Sequence, residues 1–174
     1  MGSDVHAFIE FRHRADKPWA TGQWCSWGDG ELRWNRSDDL FSALSAGRKT
    51  VGFEGLIPAR GMPEDAAGES FKAMHYFIFE DEGYDPDRYR SYRHFVKSEV
   101  RPEWTLVRRG EMDFVWRPGI SHGHSYLTLE EIHQCLAHAG LELGKADVFF
   151  QVVVATMEKL SEVYETRLVF WYGS

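Results

Sequence analysis

The sequence has little cysteine, and that scarcity excludes two common ways of stabilising a small domain. Its 174 residues contain 2 cysteines, Cys25 and Cys135, and neither belongs to a C-x-x-C pair. A thiolate zinc site needs clustered cysteines, so this spacing argues against one. With no secretory signal in view, two reduced thiols are favoured over a disulfide.

Long apolar runs are also missing. The longest, residues 148–155, is interrupted by Gln151 and is far shorter than the ~20 residues that cross a bilayer. The first ten residues include Asp4, His6 and Glu10, where a secretory signal would be apolar. We therefore expect a cytoplasmic protein with no membrane contact.

Basic residues are outnumbered, because 27 Asp and Glu stand against 20 Lys and Arg, for a formal net charge of −7. This balance makes double-stranded DNA an unfavourable partner. The chain also lacks the Gly-x-x-x-x-Gly-Lys-Ser/Thr, Gly-x-Gly-x-x-Gly and Gly-x-Ser-x-Gly motifs, which leaves P-loop, dinucleotide and serine-hydrolase folds unsupported. A hydrophobic content of 43% nevertheless indicates a folded domain.

Hydrophobic periodicity predicts strands at both ends of the chain and helices between them. Residues 4–12 alternate as a strand with one face in the core, and residues 166–172 are β-branched and aromatic. Thr128-Leu129-Glu130-Glu131 is a capping box that begins a helix ending at Gly140. A second helix over 146–162 is apolar almost all round in its first half, so we expect that half at the centre of the core.

Weaker patterns predict the remaining elements. They are a loop over 13–23, a hairpin over 24–34, a helix after Ser37 that stops at Gly47, a long ordered loop over 48–68, a helix or strand over 69–79, a solvated helix within 80–103, and strands at 104–107 and 114–116. Together the elements predict one α+β (mixed α/β) domain over residues 1–174. Its sheet would be antiparallel or mixed, would contain the N- and C-terminal strands, and would be packed by helices.

Two short histidine pairs are candidate metal ligands. In Asp4-Val5-His6 the residues i and i+2 of a strand point the same way, and His122-Gly123-His124 lies just before the Thr128 helix, in an expected loop. Imidazole and carboxylate ligands suit Zn, Mn or Fe better than Mg or Ca. The alternative is that His6 hydrogen-bonds across a sheet face while the other pair orders a loop. The candidate ligands are Asp4, His6, His122 and His124.

Basic residues in the first third of the chain form a second constellation. Arg60 lies in a loop bounded by glycine and proline and is followed by Glu64 and Asp65, and Arg36 precedes the first predicted helix. An arginine fork matches phosphate or carboxylate, so one interpretation is an anion-binding loop with an acid for proton transfer. The other, which we favour, is a salt-bridge network that ties the long loop to the body of the protein.

Aromatic residues are abundant and are interleaved with arginine over 88–93, in the sequence Arg-Tyr-Arg-Ser-Tyr-Arg. Such a segment is a candidate surface for a nucleic acid or a partner protein, because aromatic rings and guanidinium groups both stack on bases. Most of the other aromatic residues are expected in the core or in hairpins. The net negative charge weighs against nucleic acid.

Several short motifs occur in a specific order over most of the chain. They are residues 1–6 (MGSDVH), 39–48 (DLFSALSAGR), 59–65 (ARGMPED), 122–128 (HGHSYLT) and 167–172 (RLVFWY). In this order they resemble a group of small, uncharacterised bacteriophage and bacterial proteins that typically open Met-Gly-x-Asp-Ile/Val-His. The chain departs mildly from that group, with Ser3 where cysteine is common and Gly123 where serine is common.

The resemblance implies a phage or prophage origin and a location in the host cytoplasm, and it brings no established activity. It also groups a recurrent set: Asp4, His6, Arg60, Asp65, His122 and His124. A weaker functional analogy is to metallophosphoesterases, which hold two metals with Asp-x-His near the start and Gly-His-x-His near the end. Their middle motifs, Gly-Asp-x-x-Asp and Gly-Asn-His-Asp/Glu, are missing here, so the analogy implies no fold.

Three functions fit these residues. The first is a divalent-metal-dependent hydrolase, in which the ion activates a water to attack a phosphate ester or nucleotide. Arg60 and Arg36 would hold its anionic substrate, and Asp65 or Glu64 would move the proton. The second is a non-catalytic phage accessory protein that binds a nucleotide signal or a host protein. The third is a closed structural metal site without a reaction.

Overall fold

The structure is a computed structural model that describes residues 4–21, 32–34, 38–44, 55–74, 76–77, 105–109, 112–116 and 121–173. Its elements are β1 (Asp4–Arg12), β2 (Ala20–Thr21), β3 (Leu32–Trp34), α1 (Asp38–Leu44), α2 (Gly68–Met74), β4 (Tyr76–Phe77), β5 (Thr105–Arg109), β6 (Met112–Trp116), β7 (Ser121–Leu127), α3 (Leu129–His138), a 3-10 turn (Leu143–Lys145), α4 (Val148–Ser161) and β8 (Glu165–Gly173).

The two terminal strands lie side by side in the main sheet. β1 pairs antiparallel with β8 along its whole length, from Asp4 opposite Gly173 to Arg12 opposite Glu165. β2 and β3 pair with the other edge of β1, and β7 pairs with the outer edge of β8, all antiparallel. This arrangement confirms the predicted α+β class and the terminal strands, and it resolves the sheet as antiparallel.

The main sheet buries one face against the helices. Alternate residues of β1 and β8 point to this face, because successive side chains of a strand lie on opposite sides. Helices α1, α3 and α4 cover it with their apolar stripes. The central members of this core are Val5, Ala7, Ile9, Leu40, Leu127, Ile132, Cys135, Phe150, Val154, Met157, Leu168, Phe170 and Tyr172. Cys135 is a fully buried member of this core, and its burial raises the pKa of the thiol.

The capping box that begins α3 forms as predicted. The backbone N–H of Glu131 donates to Oγ1 of Thr128 at 3.3 Å, and the Glu131 carboxylate accepts from the Thr128 N–H at 2.9 Å. The helix ends before Gly140, which has a φ of 66°. That left-handed conformation is the usual end of a helix and suits glycine best.

The prediction for α4 is half wrong. Phe150 and Val153 are buried as expected, but Val148, Phe149 and Val152 are 64%, 55% and 45% exposed. A helix of 3.6 residues per turn presents only one face to a sheet. Near-uniform apolarity therefore does not bring the whole first half of the helix into the core.

Other predictions have mixed outcomes. Residues 69–79 contain both a helix, α2, and a strand, β4. The strands predicted at 104–107 and 114–116 correspond to β5 and β6, which pair antiparallel. The predicted loop over 13–23 contains the short strand β2, and β3 pairs with β1. Ser37, Gly47, residues 22–31 and the 80–103 segment with its Tyr/Arg motif lie outside the described residues. None of the described helices has the length and apolarity that crossing a bilayer requires.

Candidate functional site

The two histidine-containing motifs lie at the same end of the main sheet. On β1, Asp4 pairs with Gly173 and His6 pairs with Trp171. On β7, His122 pairs with Tyr172. The motifs therefore occupy the two strands that flank the end of β8. For Asp4 and His122 the described part is the backbone alone.

His6, Trp171 and His124 form an aromatic row across three strands. The ring of His6 lies parallel to the Trp171 indole, with centroids 5.7 Å apart and an interplanar angle of 4°. The ring of His124 lies 6.4 Å from the indole at 23°. Both histidines are partly exposed, whereas Trp171 is only 4% exposed. A ligand would therefore meet the imidazoles before the indole.

A β-bulge interrupts β7 within the His122-Gly123-His124 motif. The register passes from His122 opposite Tyr172 to Ser125 opposite Phe170, so two residues of β7 face the single residue Trp171. Gly123 has a φ of 64°, the left-handed conformation that one type of bulge requires. The motif is thus an irregular strand and not the expected loop.

The bulge changes how the two histidines of this motif relate to the sheet. His124 stacks on Trp171, on the face away from the helices, whereas His122 pairs with Tyr172, whose side chain belongs to the helix-covered core. In a regular strand, residues i and i+2 would share one face. Here His122 lies opposite Tyr172, which points into the helix-covered core, whereas His124 stacks on Trp171, which points to the other face.

A single metal ion bound to both His6 and His124 does not fit this arrangement. Two nitrogens on one ion lie within about 4 Å of each other. β1 and β7 are separated by β8, which is about 9.6 Å at ordinary strand spacing, and the indole of Trp171 lies between the imidazoles. Among the described side chains, no group of three or more His, Cys, Asp or Glu could hold a metal. A centre that joins all four predicted ligands on one ion therefore does not fit the sheet, and metal binding by part of the set stays a prediction.

Arg60, predicted to hold a substrate, is bonded to the protein. Its Nη1 and Nη2 donate to the Glu131 carboxylate at 3.0 and 2.5 Å, and Nη1 also donates to the Tyr126 carbonyl at 3.3 Å. The hydrogen bond from Arg60 is the main reason that the pKa of Glu131 lies below its usual value. These contacts agree with the second interpretation of the loop, a salt-bridge network that ties it to the body of the protein. Arg36 lies outside the described residues.

Asp65, predicted to move a proton, is also engaged. Its oxygens accept from Arg167 Nη1 and from Trp19 Nε1, each at 2.9 Å. Partial burial raises the pKa of Asp65, but the hydrogen bond and charge of Arg167 outweigh it, and the pKa lies below its usual value. The neighbouring Glu64 is exposed. Catalytic roles for Asp65 and Glu64 stay predictions.

The buried ion pair of Glu10 and Arg167 is the centre of this network. Both residues lie on the sheet face opposite to α1, α3 and α4, and Glu10 is 0% exposed. Arg167 Nε donates to the Glu10 carboxylate at 2.8 Å, and the backbone N–H of Ala67 donates to its other oxygen at 2.7 Å. A buried charge needs such complete pairing, because an unpaired one is costly to desolvate.

Aromatic rings separate the arginines of the network. The guanidinium groups of Arg12 and Arg167 lie 4.3 and 4.0 Å from the Trp19 ring. Those of Arg167 and Arg60 lie 5.5 and 5.3 Å from the Tyr126 ring. Cation–π contacts of this kind strengthen when they are shielded from water. The alternating aromatic rings and guanidinium groups hold both loops, 13–19 and 55–67, against the sheet.

Four residues of the network and the row were not predicted as site residues from the sequence: Glu10, Arg167, Glu131 and Trp171. A usable signal was present in the first and last strands, which carry Glu10-x-Arg12 and Glu165-x-Arg167. Paired antiparallel, these segments put Glu10 opposite Arg167 and Arg12 opposite Glu165. Cross-strand pairs of opposite charge stabilise a sheet, so the complementarity favours the observed register.

Acid is expected to remove the stabilisation that the Arg60–Glu131 pair provides. Because the pKa of Glu131 is lower in the folded than in the unfolded protein, the unfolded protein takes up this proton first as the pH falls. The contribution is complete above the ordinary glutamate value of 4.5 and disappears as the pH falls through the lowered pKa. Urea midpoints measured from pH 7 to pH 3 will check this, with Glu131→Gln compared to the wild type.

The difference in the free energy of unfolding between the wild type and Glu131→Gln should become smaller at low pH. Glu162→Gln serves as the control, because Glu162 pairs with Lys159 at the surface, where the side chains are 59% and 78% exposed. Such a pair contributes little. A wild-type advantage over Glu131→Gln that stays constant down to pH 3 would contradict the prediction.

The fold and the network define an α+β protein whose sheet face opposite to α1, α3 and α4 carries two partly exposed imidazoles beside the buried Trp171, next to a loop held by ion pairs. Comparison with known proteins found no family whose model matches the chain, no similar curated protein and no similar solved structure.

Proposed function

We propose that the protein binds a small anionic ligand of the nucleotide class on the sheet face that carries His6, Trp171 and His124. The aromatic row of two partly exposed imidazoles on either side of an indole carries the proposal. An imidazole N–H donates to phosphate oxygens, and the imidazole ring offers a face on which a base stacks. This chemistry suits a ligand that combines negative charge with a planar ring.

The register supports an anionic ligand. Arg33 of β3 pairs with His6 on the edge of β1 opposite to β8. The same row of the sheet therefore runs from an arginine position through His6 and Trp171 to His124. The guanidinium group of arginine and the imidazole N–H of histidine both donate to phosphate oxygens.

The engagement of the predicted catalytic residues supports binding without turnover. Arg60 is paired with Glu131, and Asp65 is paired with Arg167. A substrate would have to displace these partners before either residue could act on it. This is the role of an accessory protein, in line with the resemblance to phage proteins.

We expect His6→Ala and His124→Ala each to weaken the binding of adenosine monophosphate about tenfold, the usual effect of one lost charge-assisted hydrogen bond. Isothermal titration at fixed pH measures the affinity. His133→Ala is the matched control, because His133 lies on α3 with its side chain 46% exposed, away from the row. Equal affinities in all four proteins, or no binding by the wild type, would contradict the proposal.

Metal-dependent hydrolysis of a phosphate ester is the second candidate, favoured by the register that brings Asp4 and His6 to the same end of the sheet as His122 and His124. With Trp171 between the imidazoles, a Zn, Mn or Fe ion would bind only one of the pair His6 and His124. Its shell would keep a position open for water, as catalysis requires.

Elemental analysis after reconstitution with each ion tests this candidate, followed by an assay on p-nitrophenyl phosphate. Metal content that stays near zero would remove it. If metal binds, only one of His6→Ala and His124→Ala should abolish the binding. An equal loss of metal affinity in both variants would contradict a site that uses only one of these histidines. A metal that raises the melting temperature without turnover would indicate a structural metal site instead.

A further inference from the structure

Residues 60–61, which we name the strap, lie along the outer edge of β7. The backbone N–H of Gly61 donates to the His124 carbonyl at 2.9 Å. The backbone N–H of Arg60 donates to Oγ of Ser125 at 3.3 Å, and its Nη1 donates to the Tyr126 carbonyl at 3.3 Å. Two strap residues thus bond three consecutive residues of β7, and the first of these is the histidine of the aromatic row.

The strap is fastened at the first turn of α3. Both oxygens of Glu131 accept from Arg60, and one of them also accepts from the Thr128 N–H at 2.9 Å. The carboxylate that caps the helix therefore holds the strap as well. Because α3 follows β7 directly, the helix, the strap and the strand edge form one bonded unit.

The bulge makes this outer support important. Between His122 and Ser125 the regular pairing of β7 with β8 is interrupted. A bulged residue loses part of its ladder, so its backbone is less constrained from that side. The Gly61 N–H bonds the His124 carbonyl at this point.

We propose that Arg60, Gly61 and Glu131 are positioning residues for His124: the strap sets the place of the bulged backbone and, through it, of the imidazole in the aromatic row. The inference rests on the proposed function for its ligand, but the placement of the imidazole can be measured without any ligand. The Arg60–Glu131 ion pair would then position His124 in addition to stabilising the fold.

Two glycines provide a matched test. Gly61 and Gly140 have φ values of 80° and 66°, and an added Cβ would meet no atom within 4 Å at either position. Alanine at both positions is strained to a similar degree, because L-residues disfavour this conformation. Only Gly61 bonds β7, so Gly140→Ala carries the backbone strain without the effect on the site.

Side-chain NMR spectra of histidine-labelled protein, together with titration of adenosine monophosphate, distinguish the outcomes. We expect Gly61→Ala to move the cross-peaks of His124, to leave those of His133 in place, and to weaken binding about tenfold, whereas Gly140→Ala weakens it less than about twofold. If both variants lower the melting temperature alike and leave the His124 cross-peaks unmoved, the strap is only structural and the inference is overturned.

A second pair of variants tests the ion pair. Glu131→Gln keeps the size of the side chain but removes its charge, and Arg60→Lys keeps the charge but loses the two-pronged fork. Both are expected to move the His124 cross-peaks in the direction seen for Gly61→Ala, and unmoved cross-peaks in both would overturn their positioning role. If the wild type binds no adenosine monophosphate, the proposed function fails, while the His124 cross-peaks still decide the inference.

Discussion

Replacing Arg167 with alanine is expected to lower the free energy of unfolding by about 3–5 kcal/mol, the usual cost of breaking a buried ion pair. The substitution leaves the carboxylate of Glu10 at 0% exposure without its cation. It also removes the bonds from Arg167 to the side chain and the backbone carbonyl of Asp65. Urea denaturation, followed by fluorescence, measures the loss.

Two comparisons make this prediction specific. Lys159→Ala breaks an ion pair that is largely exposed, so it should cost only about 0–1 kcal/mol. The double variant Glu10→Met with Arg167→Met should recover part of the loss, because an apolar pair of similar volume replaces the buried charges while the Ala67 N–H loses its acceptor. A cost below about 1 kcal/mol for Arg167→Ala would show that the network does not hold the sheet face and its loops together.

Phe150→Ala is expected to lower the free energy of unfolding by about 3–5 kcal/mol, whereas Phe149→Ala should change it by less than about 0.5 kcal/mol. The two residues are neighbours on α4 and are chemically identical. Phe150 is 0% exposed within the core, and Phe149 is 55% exposed. The first substitution removes apolar contacts and leaves a cavity, while the second alters only the surface.

Thermal or urea unfolding of the two variants checks this prediction, and a neighbouring pair extends it. Val153 is 2% exposed and Val152 is 45% exposed, so Val153→Ala should cost clearly more than Val152→Ala. Equal losses at positions 149 and 150 would mean that another surface covers Phe149 in solution. They would contradict the burial described for α4.

The candidate site was predicted in part. Its residue types and two of its positions, His6 and His124, followed from short motifs in the sequence. Their relation to each other did not, because it depends on β8 lying between β1 and β7 and on a one-residue bulge. A strand and a loop look equally compatible with the segment 122–124 when only its neighbours are considered.

The loop residues show the same limit. Arg60 is suited to substrate binding or to a salt bridge, and Asp65 to proton transfer or to a salt bridge. The sequence favoured the salt bridges but could not name the partners. Their partners, Glu131 and Arg167, lie 71 and 102 positions away along the chain. Only the folded chain brings each partner within hydrogen-bond distance.

By itself, the sequence determined the local elements with strong short-range signals: the alternation of β1, the capping box of α3 and the β-branched, aromatic run of β8. Those signals come from residues a few positions apart, which interact in any context. The tertiary structure alone decided which phenylalanine of α4 is buried, where β7 bulges and which carboxylate each arginine meets. These outcomes depend on contacts between distant segments, whose free energies appear only when the segments pack together.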